Sequence, residues 1–269
     1  MRFIVRTALI SGLLAAPAAA ATGDLLVAPT RIVLDGARGT EVILNNIGDE
    51  PATYRISLEL RRMHTDGRVE EVVVTDANPT EAAALAMISY APRRIVLAPN
   101  EPQAIRIGIR APQGLPDGEY RAHMLFLAIP ASKPVTAEQA SETGLSIALT
   151  PIYGVTIPII IRRGALKATA GMSDARLITT EEGGALALNL SRSGDRSTYG
   201  RIRIYKQGQG KPVFEAGGVA VYPEVAARAV EIGLPPEAIA ALKGPVTIQY
   251  IEDPESGGKL LAELQTVLR

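Results

Sequence analysis

One stretch constrains this chain more than any other: Gly144 to Arg163, reading GLSIALTPIYGVTIPIIIRR. From Leu145 every second residue is apolar or proline: Leu145, Ile147, Leu149, Pro151, Tyr153, Val155, Ile157, Ile159 and Ile161. The residues between them include Ser146, Ala148, Thr150, Gly154 and Thr156. A period of two places alternate side chains on opposite faces of a strand. The β-branched second half suits a pleated surface. A usual strand has ~5–6 residues, and at ~3.3 Å per residue this run could reach ~60 Å. Pro151 and Pro158 lack N–H donors, which argues against a central strand throughout. Two readings stay open. The run is a long core strand bent at its prolines, or it offers part of itself to another chain, because a long apolar edge left bare invites aggregation.

Around this stretch the chain reads as all-β. Short apolar runs are divided by Gly, Pro, Asn and Asp, and long amphipathic helices are scarce. At 269 residues and 47% hydrophobic content, two domains with separate cores are expected, and disorder is not. Strands are expected over 24–34 with a break at Pro29-Thr30, then over 40–45, 53–63, 68–75, 90–95, 104–109 and 119–129. In Thr53–Met63 the alternation puts Tyr54, Ile56, Leu58 and Leu60 on a buried face. Arg55, Ser57, Glu59 and Arg61 fall on a wet one. Residues 81–87 suggest a short helix, and the polar run 130–143 a loop. A boundary is expected between Gly164 and about Ser173. Beyond it, strands are expected over 185–190, 200–206, 219–222 and 246–251, with a short helix at 236–243.

The first residues read as an export signal. Arg2 and Arg6 precede the apolar run Ala8–Leu14, and Ala18–Ala21 supply small residues for cleavage near Ala20–Thr22. No later run is long and unbroken enough for a membrane-spanning helix. Formal net charge is zero, from 28 Lys+Arg and 28 Asp+Glu, so no nucleic-acid partner is expected. With no cysteine, stability rests on burial even in an oxidising compartment. The absence of tryptophan argues against an antibody-type core with its Cys…Trp…Cys spacing.

Catalytic and metal chemistry finds no foothold. The two histidines, His64 and His123, stand apart in sequence. His64 reads as a turn residue, and His123 as a strand-face residue beside the sandwich edge. There is no HExxH, no nucleophile elbow with a histidine, and no phosphate-loop spacing around Gly36–Gly39. No carboxylate pair suggests acid–base work. No enzyme activity, cofactor or metal is expected. Arg61-Arg62 and Arg93-Arg94 read as solvated faces.

Four segments carry a resemblance: APTRIVLDG (28–36), APRRIVLAPNEPQAIRI (91–107), GEYRAHMLFLAIP (118–130) and LSIAL (145–149). In this order, behind an export signal, they resemble the periplasmic pilus chaperones of the chaperone–usher pathway, the PapD-like family. The resemblance covers most of 24–163; the second half is similar only in size and β character. It implies two tandem immunoglobulin-like β-sandwiches: a signal peptide over 1–21, a first domain over 22–163 ending in a donor strand, and a second over 164–269. It implies a periplasmic chaperone that caps a pilin-like subunit by lending it a strand, a known form of β-augmentation. Delivery to an outer-membrane usher would follow. The implied donor residues are Leu145, Ile147, Leu149, Tyr153, Val155, Ile157 and Ile159. The family holds the subunit's C-terminal carboxylate with an arginine and a lysine. The arginine corresponds to Arg31. The lysine has no counterpart, and Thr156 or Arg162 are the candidates to replace it. A self-capping dimer is a further possibility that the resemblance leaves open. The competing reading is a secreted two-domain adhesion or surface-structural module, in which the long strand is core.

Overall fold

The structure, a computed structural model, describes residues 25–35, 39–130, 152–180 and 183–269. The segment read as an export signal and the expected donor residues Leu145, Ile147 and Leu149 lie outside them. In the first half the strands are β1 (Leu25–Ala28), β2 (Ile32–Asp35), β3 (Gly39–Asn46), β4 (Ala52–Met63) and β5 (Val69–Val72). A helix α1 (Pro79–Met87) follows, then β6 (Ile88–Ala91), β7 (Arg94–Leu97), β8 (Pro102–Ile109), β9 (Gly118–Ile129) and β10 (Gly154–Arg163). They form two sheets. One has the order β1-β3-β8-β6; the other runs β2-β10-β9-β4-β5, with β7 also on β4. Val42, Leu44, Ile105 and Ile107 from the first sheet share a core with Tyr54, Ile56, Met124, Phe126, Ile157 and Ile159 from the second.

The second half contains β11 (Ala168–Thr180), β12 (Gly183–Gly194), β13 (Thr198–Lys206), β14 (Phe214–Val221), β15 (Ala227–Leu234), a helix α2 (Pro236–Leu242), β16 (Gly244–Glu252) and β17 (Leu260–Leu268). Its sheets run β11-β12-β15 and β14-β13-β16-β17. Leu186, Leu188 and Leu190 pack there against Ile202, Ile204, Ile248 and Tyr250. The chain is thus all-β, two tandem immunoglobulin-like sandwiches. Among the described residues no sheet mixes strands up to Arg163 with strands from Ala168 onward. Among the described residues no helix is long and apolar enough to cross a membrane.

Helix α1 has a local cause. Pro79 opens it, and Asn78 forms a capping box with Glu81: Asn78 Oδ1 accepts from Glu81 N at 2.9 Å, and Glu81 Oε2 accepts from Asn78 N at 2.8 Å. Arg62 then donates to both Glu81 oxygens at 2.6 Å, so it is an anchor for the helix rather than part of a solvated face.

Four expectations need correction. Residues 90–95 are not one strand: β6 pairs with β8 and β7 with β4, in different sheets. The strands β11, β15 and β17 carry weak alternation, and it is pairing with strong neighbours that orders them. Glu59 is buried, because the second sandwich covers that part of the expected wet face of β4. His123 is not beside an edge, since β9 lies between β10 and β4.

Candidate functional site

The long strand is held unequally on its two sides. Against β9 it pairs over its whole length, Gly154↔Leu127 to Arg163↔Gly118. Against β2 it pairs only from Ile159↔Ile32 to Arg162↔Asp35. Among the described residues nothing pairs with the other edge of Gly154–Pro158. Upstream of β2 the chain leaves this sheet, and β1 joins β3 in the opposite one.

Bond alternation says which groups that edge carries. Ala128 N donates to Tyr153 O at 2.9 Å, across the β9 side. In an antiparallel ladder the hydrogen-bonded pairs recur every second residue. Tyr153, Val155, Ile157 and Ile159 therefore turn their backbone groups to β9. Gly154, Thr156 and Pro158 turn theirs to the open edge. The missing N–H of Pro158 falls on that side, where it costs the β9 ladder nothing.

The side chains of the same strand divide likewise. Ile157 and Ile159, read from the two-residue period as donor residues, are buried in the chain's own core, and Val155 packs against it. Tyr153 is exposed. On the opposite face Ile160 joins the second core, together with Met63 and Val33. That face lies beneath the second sandwich, and it holds most of the charge of interest.

Arg31 is part of this covered face. Its guanidinium stacks 4.1 Å from the Tyr199 ring centroid, and its Nη1 donates to Tyr222 Oη at 3.2 Å. Arg121 lies over the Tyr222 ring at 3.7 Å, so two cations share one aromatic side chain. Arg121 also pairs with Glu224, which accepts from Met63 N at 2.8 Å. Arg61 Nε donates to Glu59 Oε1 at 2.5 Å. His123 sits among these groups at 5% exposure. Burial, then the charges of Arg121, Arg61 and Arg31, push its pKa down to about 3, so the imidazole is neutral at physiological pH.

The two candidates for the absent lysine are both occupied. Thr156 Oγ1 donates to Glu59 Oε1 at 3.2 Å. Arg162 Nε donates to Glu119 Oε2 at 3.1 Å, and its β2 partner is Asp35, further along that strand than Arg31. Glu119 Oε2 also accepts from Ser197 N at 3.0 Å and Ser197 Oγ at 2.9 Å, which ties the first sandwich to the second. A cleft of about 810 Å³ opens here, lined by Asp35, Asp117, Arg162, Arg163 and Arg196 among others. Arg31 is not in its wall. Side chains of both signs line it, and no ligand chemistry stands out.

The resemblance pointed to Arg31 alone; Glu59, Arg121, Glu224, Tyr199 and Tyr222 were not read from the sequence as its neighbourhood. For Glu59 and Arg121 the signal was the alternation of β4 and β9, which puts 59, 61, 121 and 123 on one face; Glu224, Tyr199 and Tyr222 lie outside both strands and carried none.

No family model and no curated protein matches this chain. Solved structures do. The chaperone DraB of E. coli is 16% identical, with a TM-score of 0.45, 91% of this chain and 96% of that one being covered. The CsuC–CsuE chaperone–tip adhesion subunit pre-assembly complex of Acinetobacter baumannii is 14% identical, with a TM-score of 0.46 and coverage of 92% and 100%. The CupB2 chaperone of Pseudomonas aeruginosa is 16% identical, with a TM-score of 0.43 and coverage of 91% and 100%. At this identity and with TM-scores below 0.5, the functional reading is left to the site itself.

Proposed function

We propose that this chain is a periplasmic assembly chaperone that caps a pilin-like subunit by strand addition and passes it to an outer-membrane usher. The observation that carries the reading is the open edge of Gly154–Pro158, on a strand whose other edge is fully paired. An added strand gains main-chain hydrogen bonds there, which depend little on its sequence. The segment preceding this edge contains Leu145, Ile147 and Leu149, whose alternate side chains would fill a groove in the subunit. Full burial of each contributes about 1.5–3 kcal/mol before ordering costs. Ile157 and Ile159 support the strand from the core, so the donor set narrows to residues upstream of them. We take 22–163 and 164–269 as the two domains, with 1–21 as the removed signal. A dimer that caps the same edge would be the resting form when no subunit is present.

The test is co-purification of the full chain with a pilin-like subunit exported in the same cells. The wild type is expected to retain the subunit, and Ile147→Asp to lose it. Equal retention by both would reject strand donation.

A further inference from the structure

We propose that the hairpin β4–β5 is a clasp: it closes one open side of the second sandwich and welds the two sandwiches into a single unfolding unit. The inference stands apart from the capture role and draws nothing from it.

Edge strands explain what needs closing. β14 and β15 each end a sheet of the second sandwich. An edge strand carries unpaired N–H and C=O groups, which proteins cover with a loop, a helix or another strand. The N–H of Ala229, on β15, is not spent on the β12 ladder. It donates to Thr65 O at 2.7 Å. Thr65 lies in the turn between β4 and β5, so the first sandwich covers an edge of the second.

The same turn covers the gap between the two sheets. Arg228 reaches from β15 to β14, where its Nη1 donates to Ala220 O at 2.8 Å. Gly67 lies against this guanidinium, and a Cβ there would fall 2.5 Å from Arg228 Nη2. Gly67 also has a φ of +86°, which glycine adopts without a steric penalty. The turn is braced from within. His64 N donates to Arg68 O at 2.8 Å, and Gly67 N donates to His64 O at 2.9 Å.

Behind the turn the hairpin enters the second core. Met63 is buried there and Val69 packs against it, although both belong to strands of the first sandwich. One segment thus gives the second sandwich a hydrogen bond at its edge, a cover for Arg228 and part of its apolar interior. Parting the halves bares all three at once. That is the condition for cooperative, all-or-none opening.

The test is hydrogen exchange of the mature chain, read amide by amide by NMR. It compares two prolines on β15. Ala229 and Glu231 pair with Asn189 and Ala187 of β12 and stand two residues apart, so both N–H groups turn away from that ladder. Among the described residues only that of Ala229 meets the hairpin. Neither proline therefore removes a donor from the β12 ladder. In the wild type the slowest amides of the two halves are expected to exchange at one common rate. Ala229→Pro is expected to speed those of β12 and β13 about fivefold or more, as loss of one hydrogen bond would, and to leave those of β9 and β10 unchanged. Glu231→Pro is expected to stay within about twofold of the wild type. Equal effects of the two prolines, or a wild type whose halves already exchange at separate rates, overturn the proposal. Should Ala229→Pro fail to fold, Gly67→Ala tests the contact from the other side. There the Ala229 amide is expected to exchange about fivefold faster, and an unchanged rate overturns the clasp.

Discussion

Replacing Thr156 with proline removes one backbone N–H from the open edge and none from the β9 ladder. Val155→Pro does the reverse, because Val155 N turns to Phe126 on β9. The folded chain loses little in Thr156→Pro. The side-chain bond to Glu59, 3.2 Å long, contributes about 0.5–1.5 kcal/mol, and Glu59 keeps Arg61. Val155→Pro removes an N–H from the β9 ladder and leaves the Phe126 carbonyl without its donor, at about 1–3 kcal/mol. Capture should show the opposite order. A subunit carbonyl that faces residue 156 is left unsatisfied in Thr156→Pro, at about 1–3 kcal/mol, or roughly five- to hundredfold in affinity. Thermal unfolding followed by circular dichroism checks the first half, and subunit co-purification at graded salt the second. Two results would refute the reasoning. If Thr156→Pro unfolds as readily as Val155→Pro, the bond alternation is misassigned. If it folds and captures like the wild type, the edge at 154–158 is not where a partner docks.

Two further outcomes concern the junction between the sandwiches. Glu119→Ala leaves Arg162 and Ser197 without their common acceptor at a site where the Glu119 side chain is 1% exposed. It should cost about 3–5 kcal/mol by denaturant unfolding, and a loss below about 1 kcal/mol would show that water replaces the carboxylate. His123 governs an acid-sensitive share of stability. Its folded pKa of about 3 lies below the ordinary 6.5, so between those values the unfolded chain binds a proton that the folded chain does not. Stability therefore falls as pH drops from about 6.5 towards 3, by up to about 1.4 kcal/mol per pH unit. His123→Gln should flatten that part of the pH profile relative to wild type; parallel profiles for the two proteins would contradict it.

Local pattern was enough to read β4, β9 and β10, which alternate strongly, but it merged β6 and β7 into one strand, because it does not show which sheet each joins. It indicated a short helix over 81–87, and the capping box at Asn78 and Glu81 starts that helix two residues earlier, at Pro79. The resemblance in TRIVLDG singled out Arg31 without reference to any neighbour. Alternation tells which residues share a face, but not what covers that face. Glu59, Arg61 and His123 therefore read as wet or edge residues until the second sandwich was seen to close over them. The bond from Arg31 to Tyr222 spans 191 positions of chain, and Arg121 reaches the same ring from another strand, beyond the reach of any periodicity. The strength of β10's isoleucines was plain in the sequence. Which of its two edges is left open was decided only by where β2 turns away to join the other sheet.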